Sequence, residues 1–136
     1  MRVIAPAQIC GIPLGLIFAA VPVSPQIANP RPLTVPLECV KADCPLLEGA
    51  PQTRGMRSGF VRLKPGATVG WHTTGQNEEA LVILRGKGAV RLEGQPDQTF
   101  AAPALAYIPR ATRHNVQNTG EGLLEYVYVV APAKSQ

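Results

Sequence analysis

A chain of 136 residues with 46% hydrophobic and only 16% charged side chains has material for one buried core, which excludes both a second domain and a disordered chain. Its formal net charge of +4 comes from Lys and Arg scattered singly, and its one Trp, three Tyr and three Phe form no platform for unpaired bases, so no nucleic-acid partner is expected.

Residues 1–30 stand apart. No charged side chain occurs from Val3 to Pro30, and the apolar stretch 9–20 lies behind a lone Arg2. That resembles an export signal, which would make the protein periplasmic or secreted. Pro13 interrupts the stretch and no small-x-small cleavage site precedes Val21, so an uncleaved arm on a cytoplasmic domain is the competing expectation. An integral membrane helix is not expected: spanning takes roughly 20 apolar residues, and Pro6, Pro13 and Pro22 interrupt any that could supply them. Loss of Cys10 with a signal leaves Cys39 and Cys44 as a pair, which an oxidising compartment can join and a reducing one leaves as two thiols. No further Cys or nearby His completes a zinc site around them. Pro22, Pro25, Pro30, Pro32 and Pro36 favour extended backbone, and the folded domain is expected over residues 31–136.

Beyond Gly55 the pattern is one of short β-rich runs bounded by Gly, Pro, Asn and Asp, with no amphipathic helical stretch. Strands are predicted at 56–63, 68–73, 79–84, 88–93, 98–101, 104–108, 113–117 and 123–130. Turn signals recur about every 8 to 12 residues, as an all-β sandwich or barrel requires. Alternate residues of a strand share a face, which groups His72 with Thr74, Glu79 with Leu81 and Ile83, and His114 with Val116. A barrel with a polar mouth and an aliphatic floor fits that order. The opposite faces, read as Ala80, Val82 and Leu84 and as Tyr126, Tyr128 and Val130, are also apolar, so a second sheet or a partner subunit is expected to cover them.

The only two histidines fall inside a spaced pattern. Gly66 is followed after five residues by His72, then by Thr74, Glu79 and, after six intervening residues, Gly86; later come Pro109, His114 and Asn118. Two imidazoles and a carboxylate suit a borderline transition metal and leave coordination positions open. This pattern resembles the two motifs of the cupin superfamily, over about residues 56–130. Thr74 stands where that family usually has a second His, and Pro103 and Ala111 replace the two glycines of the second motif. The resemblance implies a single-domain cupin jelly-roll β-barrel, a double-stranded β-helix, and subunits that pair as a homodimer.

It further implies that His72, Glu79 and His114 hold a divalent transition metal, Fe or Mn by analogy with Zn and Ni open, with Thr74 or Gln76 as additional ligands and Glu78 as an outside choice. The expected partner is a small molecule. The expected function is a metalloenzyme, dioxygenase-like ahead of isomerase or lyase chemistry. The alternatives are a non-catalytic cupin that binds or senses a ligand through a degraded metal site, and a metal-independent epimerase-like barrel using a His as base. Arg62, as a grip for an anion, and Tyr107, as a proton donor, are the candidate catalytic residues. Trp71 is expected to pack away from the cavity against the second sheet, and Arg110 and Arg113 to sit near the barrel mouth.

Overall fold

The computed structural model describes residues 29–133. The expected signal or arm at 1–30, with Cys10, lies outside the described residues apart from Asn29 and Pro30. The described chain forms β1 Asp43–Glu48, β2 Arg57–Leu63, β3 Asn77–Arg85, β4 Lys87–Leu92, β5 Gln98–Ala101, β6 Ala104–Ile108, β7 His114–Asn118 and β8 Leu124–Pro132. These build two antiparallel sheets, one in the order β1-β2-β8-β3-β6 and the other β5-β4-β7. The predicted all-β jelly roll is therefore present. Among the described residues no helix is long and apolar enough to cross a membrane.

Alternation along the strands puts the core between the two sheets. On β3, Glu79, Leu81 and Ile83 point inward and are buried, while Val82 and Leu84 are exposed on the other face. Val61, Leu63, Val90, Leu92, Ile108, Val116, Leu124 and Tyr126 complete the interior. Each such side chain contributes about 1.5–3 kcal/mol when removed from water, so this layer is the main source of stability. Gly86 alone separates β3 from β4 at φ +89°, and a Cβ there would collide with the Leu123 carbonyl oxygen. That double constraint explains the glycine at the end of the first motif.

Asn118 of the second motif is structural. Its buried amide donates to the carbonyls of Leu63 at 2.9 Å and Gly122 at 2.8 Å, and its side-chain oxygen accepts from Gly120 N–H at 2.8 Å. One side chain thus fastens the end of β2 to the β7–β8 turn. Ala111, standing in a glycine position, adopts φ +58°, and its N–H donates to the Gly75 carbonyl at 2.6 Å.

Three expectations are corrected. The run 68–73 is not a regular strand; it touches β7 through two isolated antiparallel bridges, Thr68 to Gln117 and His72 to His114. Left-handed Gly66 and Gly70 break the extended run that the apolar residues suggested. Conversely β1 was not expected, because Pro45 interrupts its sequence; it survives as an edge strand, where a missing N–H is tolerated. Finally, Tyr126, Tyr128 and Val130 face the interior cavity rather than the outside. The outward residues of β8 are Val127 and Val129, which with Val82, Leu84, Leu105 and Tyr107 make an apolar outer face on the larger sheet. Cys39 and Cys44 are joined by a disulfide that ties the residues before β1 to its second position.

Candidate metal centre

His72, Glu79 and His114 are brought together, each offering one ligand atom, and these atoms lie within 4.8 Å of one another. Glu79 reaches the interior because it shares the inward face of β3 with Leu81 and Ile83; its neighbour Glu78 faces out and accepts a hydrogen bond from the Tyr107 hydroxyl at 2.8 Å. His114 opens β7 and is wholly buried. His72 sits opposite it across the isolated bridge, each backbone N–H donating to the other's carbonyl at 2.9 Å. The imidazole centroids are 4.3 Å apart.

Both rings are set in the same tautomer. His72 Nδ1 lies 2.9 Å from the Gly70 carbonyl and His114 Nδ1 3.0 Å from the Thr112 carbonyl. A carbonyl oxygen only accepts, so Nδ1 carries the proton and each neutral ring presents the Nε2 lone pair to the centre. His114 Nε2 and Glu79 Oε2 approach to 3.2 Å, yet both are buried atoms without a hydrogen-bond partner. Two facing electron-rich atoms out of water are costly unless something positive lies between them. Without a metal, a proton on His114 Nε2 is the charge that could fill that role. Burial works against a charged His114, but the Glu79 carboxylate and the Thr112 carbonyl outweigh it and raise its pKa above the ordinary 6.5. Two imidazole nitrogens and a carboxylate also match the donor preferences of a divalent transition metal, so the residues present fit such an ion.

The remaining candidates separate by position. Thr74 lines the cavity, but its hydroxyl donates to the Asn77 carbonyl at 3.0 Å while the Asn77 amide donates back at 2.9 Å, which makes it the clasp of the turn before β3. Gln76 is exposed in that turn and does not line the cavity. Arg62 points to the outer face, where it pairs with Glu125 at 2.8 Å and donates to the Cys39 carbonyl at 3.1 Å. Tyr107 is exposed on the outer face of β6. Neither is brought to the centre. Trp71 is exposed rather than packed on a sheet, with the Arg113 guanidinium 5.5 Å from its ring centroid and Arg113 held in turn by Glu93 at 2.6 Å.

His72 and Glu79 of the triad line a cavity of about 360 Å³, whose wall also carries Asp43, Arg57, Tyr126 and Tyr128. The sequence reading missed these four. For Arg57 a signal existed: Val61 and Leu63 are inward on β2, so parity puts Arg57 inward and Arg62 outward. The two tyrosines followed from the wrong parity on β8, and Asp43 from the unforeseen β1. Burial, together with Glu79, Asp43 and Tyr128, holds the Tyr126 phenol protonated far above its usual range. A larger cavity of about 800 Å³ lies between residues 29–35 and the β1–β2 connection, away from the triad.

Comparison with known proteins agrees with this architecture. The family model described as "Cupin domain" matches residues 59–130. A Thermotoga maritima protein described as a predicted oxalate decarboxylase is 26% identical, with a TM-score of 0.61 over 67% of this chain and 79% of that one. An RmlC-like cupin family protein with a double-stranded β-helix fold from Methanocaldococcus jannaschii is 19% identical, with a TM-score of 0.62 over 74% of this chain and 91% of that one. The cupin domain of Schizosaccharomyces pombe Cnp3 is 19% identical, with a TM-score of 0.60 over 67% of this chain; the match spans 64% of that chain. No curated relative matches the sequence.

Proposed function

The chain belongs to the cupin family, and from that premise we propose that it is a small-molecule metalloenzyme in which His72, Glu79 and His114 hold a divalent transition metal, Fe or Mn ahead of Zn or Ni. The observation that carries this is the convergence of three ligand atoms with both imidazoles already fixed so that Nε2 faces the centre. When bound, the ion supplies Lewis acidity and open coordination positions. The chain's own groups do the rest: the carbonyls of Gly70 and Thr112 orient the rings, the valines of the cavity wall limit water, and the Tyr126 phenol stays protonated beside the centre.

Oxygenase chemistry is the preferred activity, since Thr74 is committed to its turn and three protein ligands leave more than one position for oxygen and substrate. Lyase chemistry comes next, supported by the description of the Thermotoga relative. The experiment is elemental analysis of the purified protein followed by oxygen uptake with candidate substrates. Stoichiometric metal with substrate-dependent uptake supports an oxygenase; a metal-free protein that still binds a ligand supports a non-catalytic cupin.

Two further features belong to this reading. The chain acts as a homodimer, joined through the apolar outer face that exposes Val82, Leu84 and Leu105. It is also exported, because the Cys39–Cys44 disulfide is of a kind that persists in oxidising compartments.

A further inference from the structure

The cavity above the triad holds a cation and an anion that the metal reading does not use. On β2, Arg57, Gly59 and Val61 share the inward face. Gly59 offers no side chain, and the Tyr128 ring lies over it: a Cβ there would fall 2.6 Å from Cε1, Cζ and Oη of that ring. Asp43 is the register partner of Val61 on β1. Arg57 and Asp43 are thus anchored four residues apart along the sheet, about 13 Å of strand, with the Tyr128 phenol between them. The ion pairs among the described residues are Arg62–Glu125, Arg91–Asp97, Arg113–Glu93 and His114–Glu79, and neither Arg57 nor Asp43 enters them. Val61, Val69, Val116 and Val130 supply the apolar part of the wall, beside Thr73 and Thr74.

We propose that Arg57 and Asp43 select the ligand of this cavity, and that the ligand is a small hydroxy-carboxylic acid with an apolar body. A guanidinium takes a carboxylate through two parallel hydrogen bonds. The Asp43 carboxyl oxygens accept, so they face a hydroxyl donor on the ligand. The apolar body lies on the four valines, which offer no hydrogen-bond partner of their own. A cavity of about 360 Å³ is at the small end for ligand sites, which limits the acid to one ring or a short chain.

The assignment rests on the cavity being the ligand site of the proposed metalloenzyme, and its test separates the two ideas. The full chain, loaded with Mn²⁺, is titrated calorimetrically with mandelate, mandelamide and phenylacetate. Mandelate is expected to bind about ten-fold or more tightly than its neutral amide. Arg57→Gln should bring acid and amide to within about three-fold while metal content stays unchanged, and Asp43→Asn should weaken mandelate but not phenylacetate, which lacks the hydroxyl. Equal binding of acid and amide, undiminished mandelate binding by Arg57→Gln, or no measurable binding at millimolar concentration overturns the assignment. The series is repeated after chelation. An Arg57-dependent acid preference that persists supports the assignment even if the protein takes up no metal and the metalloenzyme reading falls; a preference that vanishes with the metal places the acid on the ion instead and overturns it.

Discussion

Glu79 and His114 stand with Oε2 and Nε2 3.2 Å apart, both buried, and neither atom has a hydrogen-bond partner. The pair is therefore poised between a shared proton and a shared cation, and the third member, His72, joins it from the exposed side.

That difference in burial separates two substitutions. His72→Ala should abolish stoichiometric metal binding while leaving the denaturation midpoint nearly unchanged, within about 0.5 kcal/mol, because the side chain is exposed. His114→Ala should also abolish metal binding and in addition destabilise by about 1–3 kcal/mol, since it leaves the Glu79 carboxylate buried without a partner. Elemental analysis and urea denaturation measure both. Retained metal in either variant would remove that residue from the ligand set.

Metal and proton should compete visibly. In the metal-free protein the folded pKa of His114 is raised, so the stability its pairing contributes is complete below the unfolded value near 6.5 and is lost as pH rises through the higher folded value. Metal binding needs the neutral ring and goes the other way. The gap in melting temperature between metal-loaded and metal-free protein should widen with rising pH across this window. A gap independent of pH would count against His114 as a ligand.

Backbone conformation gives a test that involves no ligand. Gly86→Ala should destabilise by about 2 kcal/mol or more, because both its φ of +89° and the Leu123 carbonyl oppose a Cβ. Ala111→Gly, relieving a left-handed alanine at φ +58°, should be neutral or stabilising by up to about 1 kcal/mol. Thermal melts of the two variants should move apart; destabilisation by Ala111→Gly would contradict the conformation at this turn.

Removing the disulfide by Cys39→Ser with Cys44→Ser should cost about 2 kcal/mol, the loop-closure value for so short a ring. The native protein should show no reactive thiol at either position under denaturing, non-reducing conditions. Two titratable thiols there would dismiss both the bridge and the case for export.

Charge placed on the outer sheet face tests the assembly. Leu105→Glu, at a side chain 71% exposed, should turn a sedimenting dimer into a monomer without lowering monomer stability, since the position contributes nothing to the interior. A wild-type protein that sediments as a monomer at micromolar concentration would end the proposal.

The fold was legible because glycine and asparagine occupy positions that backbone geometry demands. Gly86 and Asn118 are spaced by the turns they make, and Glu79, Leu81 and Ile83 keep strict alternation. The triad was legible for the same reason: its members are pinned to those turns. What escaped was set by parity and by partners remote in sequence. Eight of nine residues from Leu124 to Pro132 are apolar or aromatic, so composition alone did not say which face was inward, and Tyr126 and Tyr128 were assigned outside. Arg62 is the candidate on β2, yet parity with Val61 and Leu63 sends it outward and brings Arg57 inward. Strand β1 gives no periodic signal around Pro45, and with it Asp43 was lost. His72 was placed on a strand that left-handed Gly70 does not permit.

The backbone that carries His72 has consequences for exchange. Glu79 and His114 stand on paired strands, whereas the run around His72 is joined to the barrel by two lone bridges, so an ion held as proposed would leave by displacing one short loop while both sheets stay intact. Chelators should accordingly strip the protein without denaturing it, and reloading should proceed faster than refolding.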